Sequence, residues 1–335
     1  MSEIEHWTRE GFAGDGAHVR RPDFGPQFLR AEGSHVPRRL NVANVAVAPD
    51  GAGAAAVELA KATSGARLSL VSRRSSTPYV ERNVDCDEVY FVQHGEARVR
   101  TSFGTLTAGA GEFVCIPRGV TYQIGVPADP LLAVLIESPK ALRLSTKRPD
   151  LLDPERDVRR PVFAASPAGN DEVLLLLKGG NATTRFLLPH DPLAASEFLG
   201  GVQPVWKVHL SQVRPATDSS PVQFLETDGN DVLLYTLSAR PGRRRPPVHI
   251  NADYDEIIYY FCGPGAWGAV DEPGTLTCVP RGVAHQGPSE DVPAGYLAWL
   301  LETRETLQWS PAALAVAELM ETDMYGRHTS AAATR

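Results

Sequence analysis

The 335 residues are 43% hydrophobic and 22% charged, with a net charge of −7, which excludes a disordered chain and argues against wholesale nucleic-acid binding. The chain is long enough for about two domains, holds no run of about 18 apolar residues that would span a membrane, and has too few cysteines, four, for a disulfide framework. Glycine and proline, 29 and 27 residues, favour a turn-rich, strand-rich fold.

In chain order, the opening "MSEIEHWTREGF" lacks the basic-then-apolar pattern of a signal peptide, which predicts a cytoplasmic protein. Residues 78–88, "PYVERNVDCDE", lead into β-branched and aromatic runs of strand length cut by glycines, ending in "GEFVCIPRGVTY" at 111–122. "LLAVLIESP" (131–139) and "DEVLLLLKGG" (171–180) read as buried strands on either side of a polar, proline-bearing linker at 148–162. "GVQPVWKVHLSQV" (201–213) and "DVLLYTLSA" (231–239) lead into "PPVHINADYDE" at 246–256 and "GTLTCVPRGVAH" at 274–285. Near the end, Ser310 and Pro311 fit an N-cap and first helical position, so "AALAVAELME" is expected to continue as a helix. The tail "GRHTSAAATR" is expected to be disordered.

The chain repeats itself. Pro78, Val80, Asn83, Asp85, Asp87 and Glu88 recur as Pro246, Val248, Asn251, Asp253, Asp255 and Glu256, an offset of 168. The second block recurs at an offset of 163 with Gly, Cys, Pro, Arg, Gly and Val in place. Two repeated blocks in fixed order point to duplication of one β unit.

These blocks resemble the two sequence motifs of the cupin superfamily, Gly-x5-His-x-His followed by Glu and a closing Gly, then Gly-x5-Pro-x-Gly-x2-His. In the second copy His249 holds the first histidine place, Asn251 the second, Glu256 the glutamate and Gly263 the closing glycine, and Gly274, Pro280, Gly282 and His285 fill the second motif. The resemblance implies an all-β fold of two tandem jelly-roll barrels with a short C-terminal helix. Residues 1–150 would form an N-terminal barrel without metal, and 151–335 a linker, a metal-bearing barrel and the helix.

A finer resemblance, carried by "PPVHINADYDEIIYY", "HQGP" (285–288) and "LAWLLETRETLQWSPAAL" (297–314), is to the homogentisate 1,2-dioxygenase family. It implies an Fe(II)-dependent dioxygenase that cleaves the ring of a hydroxylated aromatic acid, with O2 as co-substrate and a homo-oligomeric assembly. The alternatives are a cupin metalloenzyme performing another tailoring reaction (isomerase, hydrolase or non-cleaving oxygenase) and a non-enzymatic ligand-binding bicupin.

With the second motif histidine replaced by Asn251, the best ligand set is His249, Glu256 and His285. Two imidazoles and a carboxylate on one face leave open positions, the pattern of mononuclear non-haem iron oxygenases. Asp255 is a weaker rival to Glu256. The corresponding first-copy residues, Glu81, Asn83, Glu88 and Tyr122, include no histidine and make a poor Fe(II) site. Asp85, Asp87, Asp253 and Asp255 occur in both copies, which predicts a structural role for them.

The resembled family places a catalytic histidine in a Phe-Asp-His-Ala-Asp-like stretch. The corresponding "FLETD" (224–228) puts Glu226 there, and His209 is the nearest imidazole upstream. Among Arg243, Arg244 and Arg245, Arg245 is the candidate for a substrate carboxylate, against the alternative of a solvated loop. Tyr259 and Tyr260 are adjacent on a strand, so they face opposite sides, and Tyr259 is the substrate candidate. Cys115, Cys278 and Cys262 are expected to be small buried residues.

Overall fold

A computed structural model describes residues 3–10, 13–22, 25–47, 56–163, 171–194, 198–217, 221–238, 245 and 247–329. Nearly all the regular structure is β, arranged in sheets of seven, six, eight and three strands. The seven-stranded sheet runs Trp206–His209, Glu112–Ile116, Asp87–His94, Leu131–Ser138, Arg67–Arg73, Val57–Ala62 and Leu307–Trp309. One of its faces packs on the six-stranded sheet through Tyr90, Val92, Val114 and Ile116 against Val99, Leu106, Tyr122 and Ile124. This is the interior of the first unit. The interior of the second unit lies on the eight-stranded sheet and holds Leu233, Tyr235, Ile258, Tyr260, Leu300 and Tyr325.

Strand alternation gives each central sheet a second apolar face, and these two faces meet. Phe91 and Phe113 from the first unit pack on Tyr259 and Trp299 from the second, with Tyr259 stacked on Trp299 at a ring-centre distance of 4.9 Å. Each such ring, fully buried, stabilises the folded chain by an upper bound of about 2–3 kcal/mol. One continuous core therefore binds the two units.

The sheets are not divided at residue 150, as the sequence reading expected. Arg38–Asn41 pairs with Thr275–Val279 of the second unit, and the equivalent Trp206–His209 pairs with Glu112–Ile116 of the first. Leu307–Trp309 closes onto Val57–Ala62, while the equivalent Leu142–Leu144 closes onto Val222–Thr227. The hairpin Glu3–Glu10/Ala13–Arg21 lies parallel to Val248–Asn251, as the hairpin Val173–Gly179/Ala182–Leu188 lies parallel to Val80–Asn83. Each unit thus completes its sheets with strands from the segments that precede and follow the other. Strand edges otherwise left with open backbone donors and acceptors are covered by this exchange.

The motif corners behave alike in both copies. Gly95 and Gly263 both have positive φ, and a Cβ there would fall 2.4 Å from Pro130 O or 2.5 Å from Gly295 O, so only glycine fits. Asp87 accepts from the backbone N–H of Arg118 and Leu142, and Asp255 accepts from Arg281 and Leu307 in the same way. The recurring aspartates at these two places tie a turn to the next strand. With both its oxygens so engaged, Asp255 stands outside the cluster formed by His249, Glu256 and His285.

Ser310 caps the C-terminal helix by accepting from Ala313 N, but the helix covers only Pro311–Leu314. The longer helix expected through "AELME" is replaced by Glu318–Leu319, which pairs with Arg38–Asn41. An edge strand there has backbone partners that an extra helical turn lacks. Of the tail, residues 330–335 lie outside the described residues. Cys86, Cys115 and Cys278 are buried and Cys262 is half-buried, all unbridged. Among the described residues no helix is long and apolar enough to cross a membrane.

Candidate metal centre

His249 sits in Val248–Asn251, Glu256 near the start of Asp255–Cys262, and His285 in the loop after Thr275–Val279. The two histidines form an isolated antiparallel bridge. His249 N–H donates to His285 O at 2.9 Å, and His285 N–H donates back to His249 O at 3.0 Å. Directly opposed residues put their side chains on the same face, so the imidazoles lie together with ring centres 4.0 Å apart. One donor atom from each of His249, Glu256 and His285 falls within 4.8 Å of the others, and all three residues are buried.

The hydrogen bonds set the tautomers. Nδ1–H of His249 donates to Pro247 O at 3.0 Å, and Nδ1–H of His285 donates to Val283 O at 2.9 Å. A carbonyl can only accept, so each Nε2 presents its lone pair toward the common point. Such backbone anchoring is the usual partner of a metal-bound imidazole. Burial, with the neighbouring His285, pulls the His249 pKa down to about 4, which keeps its ring neutral. Burial alone would raise the Glu256 carboxyl, yet His285, His249 and an amide bond from Asn251 at 3.3 Å outweigh it and hold it below the usual range. The same attraction to Glu256 outweighs burial at His285 and raises its pKa. Glu256 Oε2 lies 3.5 Å from His285 Nε2, an ion-pair separation rather than a good hydrogen bond. Two neutral-capable imidazoles and one ionised carboxylate, convergent and dry, fit a divalent transition metal.

Asn251, at the second motif place, therefore orients the glutamate. Three other residues around the triad are absent from the sequence reading. Glu302 stands directly across from Glu256 on the neighbouring strand Leu297–Thr303. Burial, with the adjacent Glu256, pushes its carboxyl up to about 8. A third repeated block could have found it: "LAVLIES" (132–138) returns as "LAWLLET" (297–303), which pairs Glu137 with Glu302. Tyr325 is buried in the same interior, and that burial, with Glu256 nearby, raises its phenol. His6, half-buried, is in register with His249 across the parallel strand pair, and His18 is in register with His6. No spacing rule links residues 6 and 249; only the exchanged hairpin brings them together.

The other expected site residues lie elsewhere. Tyr259 faces the core between the units, where its hydroxyl donates to Gln93 at 2.9 Å, so it does not line the second-unit interior; Tyr260 does. His209 ends an edge strand of the seven-stranded sheet, and its ring accepts from Ser211 N–H at a 3₁₀ turn. Glu226 lies on the face that carries Glu256 but three strands away, held by Arg143 and Lys147. At about 4.8 Å per strand that separation puts it out of reach of a group on the triad. Arg245 is bound to Gly287 O at 2.8 Å and paired with Asp323, beside the loop that carries His285. Arg243 and Arg244 lie outside the described residues.

Residues 17–180 match the family model described as homogentisate 1,2-dioxygenase N-terminal. The triad lies outside that stretch. The chain is 28% identical over 193 residues to the homogentisate 1,2-dioxygenase of Bradyrhizobium diazoefficiens and 30% identical over 195 residues to that of Rhodopseudomonas palustris strain BisA53. Each alignment covers 56% of this chain and 40% of the relative, so the chain spans well under two thirds of these proteins. Among solved structures, the YlbA protein of E. coli superposes with a TM-score of 0.46 at 10% identity, over 81% of this chain and 92% of that one.

Proposed function

We propose that this chain, a cupin-like protein resembling the homogentisate 1,2-dioxygenases, is an Fe(II)-dependent dioxygenase acting on a hydroxylated aromatic acid, with ring cleavage as the reaction. The observation that carries this reading is the buried convergence of His249, Glu256 and His285. When bound there, the metal would supply open positions where substrate oxygens and O2 meet. The chain supplies the rest. Asn251 and the backbone bridge hold the three donors in place. Tyr260, Tyr296 and Trp267 wall the interior and exclude water, which strengthens every charge interaction inside. Glu302, whose carboxyl is raised by burial and by Glu256, is placed as an acid able to donate to a substrate oxygen. His6, beside His249, is the imidazole best placed to accept a phenolic proton, a role for which neither His209 nor Glu226 is positioned.

The test is metal analysis of anaerobically purified protein, followed by O2 consumption with a panel of hydroxylated aromatic acids. Iron in stoichiometric amount and O2 uptake coupled to loss of the aromatic absorbance are expected. Full metal content in His249→Ala would overturn the site, and turnover without O2 would favour an isomerase or hydrolase.

A further inference from the structure

Four of the nine histidines stand in one row across neighbouring backbone segments. His285 bridges to His249, and His249 is in register with His6 across the parallel strand pair. His6 is in turn in register with His18 across the hairpin Glu3–Glu10/Ala13–Arg21. Residues in register on neighbouring strands share a face, so the four imidazoles project to the same side. The row runs from the buried His285 outward to the half-buried His6 and the exposed His18. The triad uses the inner pair, His249 and His285; the outer pair is His6 and His18.

The outer pair repeats the inner one in geometry. The rings of His6 and His18 lie 4.1 Å apart, centre to centre, at an interplanar angle of 53°. Those of His249 and His285 lie 4.0 Å apart at 54°. The hairpin does not need these residues to form. In the equivalent hairpin of the first unit the same places hold Leu176, facing Glu81, and Arg185, in register with Leu176.

The donor set decides which ion suits the pair. Among the described residues no third His, Cys, Asp or Glu closes on it as Glu256 closes on the inner pair. Imidazole donors without a carboxylate favour ions late in the first-row divalent series, such as Ni2+, Cu2+ or Zn2+, over Fe2+, with water in the remaining positions. The flanking pairs on the same face are Ile4 with Arg20 and Thr8 with Gly16. Gly16 brings no side chain, which leaves the approach open at that end. The exposed Arg20 adds a positive charge, which weakens the hold on a cation and keeps it exchangeable.

We propose that His6 and His18 form a second metal site, open to solvent, that takes one exchangeable late divalent ion such as Ni2+ or Zn2+ independently of the triad. Held by two protein donors, the ion leaves readily, and in its absence His6 keeps the role of proton acceptor.

The experiment is equilibrium dialysis of the untagged full chain against Ni2+. The chain should take up one exchangeable Ni2+ besides any ion held by the triad. His18→Ala and His6→Gln should each weaken that uptake at least about tenfold, because one of two protein donors is lost. If His6→Gln does not fold, His18→Ala, at an exposed position, carries the test. The Glu256→Gln/His285→Ala double variant empties the triad and should bind the exchangeable ion with unaltered affinity. Absence of an exchangeable Ni2+, an affinity indifferent to His18→Ala, or loss of the ion in the double variant overturns the proposal. The triad stands or falls on iron content, so the two metal sites fail separately.

Discussion

The two units build one scaffold and place opposite chemistry at its centre. In the first, three side chains surround the ammonium of Lys178; in the second, the same three places hold His249, Glu256 and His285, and the hairpin residue facing the site is Thr8. A carboxylate pair buried in protein needs a cation. The first unit provides its own covalently attached one, whereas the second offers two imidazoles and one carboxylate, a set that suits a metal ion. The difference shows that duplication preserved the frame, such as the Asp87 and Asp255 ties, while the centre was free to diverge.

Breaking the second centre has the largest expected effect. His249→Ala, Glu256→Gln and His285→Ala should each abolish metal retention and reduce O2 consumption to background, a loss of at least about a thousandfold, whereas Tyr122→Phe should leave metal content unchanged; metal analysis beside an oxygen electrode checks both. Next is the first centre. Lys178→Met leaves Glu88 without its counter-charge and Glu81 with Arg73 alone, and should cost about 3 kcal/mol at pH 7 by denaturant unfolding. The pH dependence follows from Glu81, whose carboxyl burial alone would raise but which Lys178 and Arg73 hold below its usual range. A lowered carboxylate stabilises fully above the unfolded value and loses that contribution as pH falls through the folded value. The deficit of Lys178→Met should therefore be greatest near neutrality and shrink in acid.

Three smaller changes sharpen the contrast. His6→Gln should lower turnover about a hundredfold with metal content intact, as expected when a proton acceptor is lost. Asn251→Ala should weaken metal affinity about tenfold, by freeing Glu256 to turn, and equilibrium dialysis would measure it. Tyr259→Phe should cost only about 1 kcal/mol, for the bond to Gln93, and leave KM unaltered, because that ring faces the core between the units.

Much of this was legible in residue order. The repeated glycines, aspartates and motif corners declared two β units, which depend on local turns and on strand periodicity within one copy, and the resemblance of the second copy to the cupin motifs singled out His249, Glu256 and His285 as the candidate ligand set. Glu302 was also legible, through the third repeat. What the sequence could not determine is what depends on pairing across the chain. The exchange of hairpins, the approach of His6 to His249, the insertion of Lys178 between Glu81 and Glu88, and the burial of Tyr259 between the units join residues up to 243 positions apart. Spacing along the chain encodes which face of a strand a side chain takes. Which sheet that strand joins is decided by edge pairing and core packing, and those exist only in the folded molecule.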